Sequence, residues 1–139
     1  MSVVIDASMA LAWVFEREQR DEAERAEQLL AGCGEQPCWV PGLWHLEIAN
    51  ALAVAERRQV ISPDTSDLFL IRVGNLPIRT ADDMTSARAG TVLSLARGHG
   101  LSSYDTSYLE LAQRLGAALA SFDRRLNQAA ADLGVTLYR

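Results

Sequence analysis

The sequence predicts an α/β domain with a mostly parallel central sheet and helices on both faces. Short β-branched or apolar runs alternate with helix-period segments from one end of the chain to the other, the pattern of successive strand–helix units. The first run, Val3-Val4-Ile5, has the uninterrupted apolar character of a strand buried on both sides. At 139 residues the chain suits one compact domain, long enough to bury about two-thirds of its unfolded surface without a metal or disulfide to hold it.

Taken in order, the first strand is followed by a helix from Ser8 through about Phe15 and a charge-rich helix from about Gln19 to Ala31, closed by Gly32. Cys38-Trp39-Val40 is the next short strand, and Pro41 opens a long helix from about Gly42 to Arg58. Ser62-Pro63-Asp64 places a proline at the first position of a helix running to Gly74 or Asn75. Ile78-Arg79 is a brief strand, and a helix from about Met84 to Arg97 stops at Gly98-His99-Gly100. Ser102-Ser103-Tyr104-Asp105 has the capping-box pattern and launches a helix to about Leu115. Ala117 to Phe122 is a strand, Arg124 to Leu133 a helix and Val135 to Tyr138 a last strand.

Composition narrows the class. Apolar residues make up 49% of the chain with no low-complexity run, which excludes disorder. The N-terminus lacks a basic leader with a long apolar core, and no uncharged stretch is long enough to span a bilayer, so the expectation is a cytoplasmic protein with no membrane partner. Cys33 and Cys38 are then expected to be free, partly buried thiols; their spacing matches no zinc finger, even with His45 and His99. A net charge of −5 argues against a broad basic surface for gripping nucleic acid. It does not exclude a nuclease, because carboxylates that bind cations lower the charge of the empty chain and the bound cations restore attraction to phosphate.

Four acids stand where carboxylates are least expected. Asp6 follows the first strand directly and Asp123 follows the strand ending in Ser121-Phe122, both at the strand-to-helix edge where α/β proteins build ligand sites. Asp105 opens a helix. Each of the three also suits a plain helix-capping role. Glu47 is the sharper anomaly: from Trp39 to Ala55 only His45, Glu47 and Asn50 interrupt small or apolar residues, so the helix reads as nearly buried all round, and no Lys or Arg lies within a turn to pair the carboxylate. Asn50, three residues on, shares its face. Should the four acids converge, their repulsion requires a cation, and oxygen ligands without imidazole or thiolate select Mg²⁺ or Mn²⁺. Such a site suits phosphoryl transfer, in which metal-activated water attacks phosphorus.

The blocks Val4-Ile5-Asp6-Ala7-Ser8, Pro41-Gly42-Leu43-Trp44-His45-Leu46-Glu47-Ile48-Ala49-Asn50-Ala51-Leu52, Ser103-Tyr104-Asp105 with Tyr108-Leu109, and Ser121-Phe122-Asp123-Arg124-Arg125-Leu126 resemble a VapC-type PIN domain, in that family's order and over nearly the whole chain. The resemblance implies a three-layer α/β/α fold over residues 1–139 as a single PIN domain. It also implies a Mg²⁺- or Mn²⁺-dependent endoribonuclease that is the toxin of a toxin–antitoxin pair, with RNA as substrate, a cognate antitoxin and a homodimer. It maps Asp6, Glu47, Asp105 and Asp123 onto the acidic quartet as catalytic and metal-binding residues, with Glu47 either ligating metal or positioning water. Ser8, Asn50 and Ser121 are placed to hold the acids by hydrogen bonds, and Arg124 and Arg125 are candidates for RNA phosphate, or else a solvated face. Trp13, Phe15 and Trp44 are either partner anchors or ordinary core aromatics. Thr106-Ser107 departs from the small apolar residues common in relatives and is expected to alter local packing.

Other magnesium-using α/β folds fit poorly. A haloacid-dehalogenase-type enzyme needs a second Asp two residues after the first, and position 8 is Ser; a receiver domain needs a late Lys, and the chain has none. The remaining alternative is a non-catalytic PIN-like module that binds metal and a protein partner.

Overall fold

The computed structural model describes residues 1–139. Four strands, β1 (Val3–Ile5), β2 (Cys38–Pro41), β3 (Ile78–Ala81) and β4 (Ala118–Ala120), form one sheet in the order β3-β2-β1-β4, all parallel. Seven helices connect and flank them in a three-layer α/β/α arrangement: α1 (Ala7–Leu11), α2 (Arg20–Gly32), α3 (Leu43–Arg57), α4 (Pro63–Gly74), α5 (Ser86–His99), α6 (Ser103–Leu115) and α7 (Arg124–Asp132). β1 is central and wholly buried, pairing Val3 and Val4 with Cys38 and Trp39 on one side and with Ala118 and Leu119 on the other. The chain builds outward from β1 in one direction through β2 and β3 and returns to its other side with β4. The reversal of strand order therefore falls between β1 and β4, and a crevice opens at their carboxyl ends.

The core joins Val3, Val4 and Ile5 to Met9, Leu29, Trp44, Ile48, Tyr108, Leu109, Leu119 and Leu126. Trp44 is part of it, and Trp13 and Phe15 pack half-buried against it, with the Trp13 indole N–H donating to the Ala26 carbonyl at 2.9 Å. Cys33 and Cys38 are free and more deeply buried than expected, their sulfurs 3.5 Å apart. No helix is long and apolar enough to cross a membrane.

Three elements are shorter than predicted. α1 ends at Leu11, beyond which turn hydrogen bonds from Trp13, Val14 and Phe15 carry the chain to the Trp13 anchor. β4 stops at Ala120 because Ser121 leaves the ladder and turns its hydroxyl to Asp6. The expected strand at Val135–Tyr138 reduces to one parallel bridge, Leu119↔Leu137, with two backbone hydrogen bonds, since so short a β4 offers little edge to pair with. At the departure from the usual pattern, the Thr106 and Ser107 hydroxyls donate to the Ser102 and Tyr104 carbonyls one turn back. Both side chains are thereby satisfied within the buried wall of α6 without disturbing it.

Candidate metal centre

Asp6 is the residue at which β1 becomes α1. It occupies the N-cap position, yet its side chain caps nothing. Its Oδ2 instead accepts from the Ser8 hydroxyl at 2.7 Å and from the Ser121 hydroxyl at 2.6 Å. Those hydroxyl oxygens in turn accept from the backbone N–H groups of Phe122, at 3.0 Å, and Asp123, at 2.9 Å. The carboxyl ends of β1 and β4 are thus tied together through one carboxylate. Burial pushes the Asp6 carboxyl above its ordinary range; the two hydroxyls pull it down, and the Asp105 charge pushes it up again.

The capping box at the start of α6 closes only halfway. Ser102 Oγ accepts from the Asp105 N–H at 3.0 Å, while the Asp105 carboxylate makes no return bond, leaving it facing the crevice. Asp123 does both jobs: its Oδ1 caps α7 by accepting from the N–H groups of Arg125 and Leu126, and its other oxygen is unpartnered.

Glu47 is less enclosed than the sequence suggests. α3 buries one stripe, Trp44, Ile48, Leu52 and Ala55, and exposes the face carrying His45, Leu46, Ala49 and Asn50; small alanines leave that side open and put Glu47 at its margin. Its partner comes from α6: the Tyr108 hydroxyl donates to Glu47 Oε1 at 2.5 Å. Burial raises the Glu47 carboxyl, the tyrosine bond opposes that, and the charges of Asp6 and Asp105 add to the rise.

All four acids, with Ser8 and Asn50, line a single open cavity of about 300 Å³ that contains no basic residue, and none of the four is in a salt bridge. As the side chains stand, no three acidic, His or Cys groups are drawn close enough together to enclose an ion. The donor set nevertheless fits a hard divalent cation: hydroxyl-oriented carboxylates around a solvent-open space with nothing else to neutralise them. Of the expected supports, Ser8 and Ser121 hold Asp6, whereas exposed Asn50 makes no hydrogen bond to any acid. The Arg125 guanidinium donates to the Gly100 carbonyl at 2.6 Å and so ties the α5–α6 turn to α7, while Arg124 lines a separate cavity. Tyr108 is the site residue that sequence reasoning did not assign; the signal was its place three residues after Asp105, on the same face of a helix.

A sequence profile described as "PIN domain" matches residues 3–132. Ribonuclease VapC3 of Pyrobaculum aerophilum is 28% identical over 126 residues, covering 91% of this chain and 92% of that protein. Among solved structures, VapC20 of Mycobacterium tuberculosis, described as a sarcin–ricin loop cleaving toxin, superposes with a TM-score of 0.64 at 16% identity, covering 91% of this chain and 94% of that one. VapBC2 of Rickettsia felis, solved with a DNA fragment from its promoter, gives a TM-score of 0.69 at 9% identity, covering 99% and 97%.

Proposed function

Because the chain belongs to the PIN domain family, we propose that it is a divalent-metal-dependent endoribonuclease acting as the toxin of a toxin–antitoxin pair, built as a single domain over residues 1–139. The observation that carries this reading is the convergence of Asp6, Glu47, Asp105 and Asp123, from β1, α3, α6 and the β4–α7 junction, on one cavity with no protein cation. The relationship to Ribonuclease VapC3 supports RNA as substrate, and the likeness to VapBC2 supports an antitoxin partner. A homodimer and a cytoplasmic location complete the reading.

Asp6 and Asp105 would hold the ion, with Asp123 reaching it directly or through water and Glu47 at its margin. Bound Mg²⁺ or Mn²⁺ supplies Lewis acidity: it lowers the pKa of a water and offsets charge developing on the phosphate. The protein's own groups do the positioning. Ser8 and Ser121 fix the rotamer of Asp6, so that its unshared oxygen is presented to the cavity at little reorganisation cost. The Tyr108 hydroxyl orients Glu47, and a carboxyl whose pKa burial raises is suited to take a proton from an attacking water.

The test compares cleavage of total cellular RNA by purified, antitoxin-free protein and its Asp6→Asn variant in Mg²⁺, Mn²⁺ or EDTA. Discrete cuts lost both in EDTA and in the variant are expected. Binding of Mn²⁺ without any cleavage would favour the non-catalytic module instead.

A further inference from the structure

Past the carboxyl end of β4 lies a second cavity of opposite character, about 410 Å³ in volume. Arg25 of α2, Arg124 of α7 and Arg139 line it together with Ser121, Asn127 and Tyr138, and no Asp or Glu is among its walls. None of the three guanidiniums has a carboxylate within ion-pairing distance, a condition they share with Arg57, Arg58, Arg72, Arg79, Arg97 and Arg125; what sets these three apart is that they line one cavity. Burial and the neighbouring thiols push the Tyr138 phenol upward, with Arg25 near enough to oppose them; the phenol remains a neutral donor at physiological pH.

The two cavities adjoin at one turn. Ser121 lines the arginine cavity while its hydroxyl donates to Asp6 in the acidic one. Of the next residues, Asp123 faces the acidic cavity and Arg124 the basic one. Three unpaired cations around one hollow repel each other until an anion enters, and the planar fork of a guanidinium matches phosphate oxygens. The cluster thus borders the acidic cavity across the Ser121–Arg124 turn.

We propose that the Arg25–Arg124–Arg139 cavity is an exosite for the RNA backbone, holding phosphates beyond the scissile bond. The proposal rests on the ribonuclease reading. It gives an acidic protein a local basic foothold without a broad positive surface, and it assigns substrate-binding roles to Arg25 and Arg139, which lie far from the acids in sequence.

The experiment measures binding of a fluorescein-labelled single-stranded RNA of about 16 nucleotides to the Asp6→Asn protein by anisotropy, in Mg²⁺, over a range of KCl concentrations. Arg25→Gln and Arg139→Gln are each expected to reduce the slope of log affinity against log salt by about 0.7, and the double variant by about 1.4. Arg58→Gln, at the exposed end of α3, leaves the slope unchanged. In the active protein the double substitution raises KM for RNA and spares kcat. A thermal melt checks the fold, and the single variants carry the slope test if the double variant melts early. Slopes equal to the parent's overturn the exosite and leave the nuclease standing, as does active cleavage by a protein whose Asp6→Asn form binds no RNA. A folded parent that neither binds nor cleaves RNA overturns both.

Discussion

Helix α6 carries two carboxylates, Asp105 and Glu110, and the fold treats their charge in opposite ways. In its second half Glu110, only 4% exposed, meets the Arg114 guanidinium at 2.9 Å; Arg114 also reaches Asp83 at 2.8 Å, and Arg88 approaches Asp83 at the same distance. In its first turns Asp105, with Tyr108 holding Glu47, faces a cavity in which four acids have hydroxyl partners, backbone N–H partners or none, but never a cation. Where a buried carboxylate serves to pin the loop before α5, the chain supplies its own counter-charge. Where none is supplied, repulsion and desolvation go unrelieved by the chain's own groups.

Asp105→Asn tests this contrast most severely. Cleavage should fall by about 10²–10³-fold or more, the scale of losing a preorganised electrostatic partner, with no loss of thermal stability. A variant that loses stability instead would place Asp105 with the structural set. The reverse holds at the other end of the helix. Arg114→Met leaves Glu110 buried and unpaired and should cost about 2–3 kcal/mol in urea unfolding, with cleavage rates unchanged under conditions where the protein is folded.

A smaller effect follows from pH. The folded Asp6 carboxyl is raised above its unfolded value, chiefly by burial, so its contribution to stability is complete below the unfolded carboxylate range and is lost as pH rises through the folded value. In EDTA near neutral pH, Asp6→Asn should therefore melt higher than the parent. The gap should close in acid, and Mn²⁺ should reverse the order by binding only the parent. Smallest of all, Tyr108→Phe removes one hydrogen bond to Glu47 and should cost about 1 kcal/mol of stability. Cleavage should drop a few-fold, with Mn²⁺ still bound; complete loss of Mn²⁺ binding by calorimetry would make the tyrosine part of the metal centre.

The fold and the four acids were legible because each left a local mark: an apolar run ending in Asp, a serine cap three residues before Asp105, a carboxylate on an apolar helix. The capping roles weighed against them were legible too, and Asp123 fills one in fact. What the sequence hid was set by distant partners. Glu47 looked unpaired because its donor, Tyr108, arrives from 61 residues away. Val135–Tyr138 has strand composition, but how much of it pairs depends on where β4 stops, and that depends on the Ser121 hydroxyl turning toward Asp6. The arginine cavity was half visible in Arg124; nothing in the spacing of Arg25 or Arg139 reveals that the fold gathers them beside it.

The placement of β1 also governs when the acidic cavity can form. The strand precedes β2 and β3 in the chain, yet its other neighbour, β4, follows both, and the hydroxyl bond that sets Asp6 spans 115 residues. A growing chain can form β1, β2 and β3 in sequence, but Asp6 has no Ser121 and the cavity no Asp123 until residues 118–123 emerge. Long-range closure of this kind is slow, because loop entropy is spent before any contact repays it. The acidic cavity is therefore the last part of the sheet edge to be assembled: β1, β2 and β3 can pair before residues 118–123 fold against β1, and the cavity cannot form until they do.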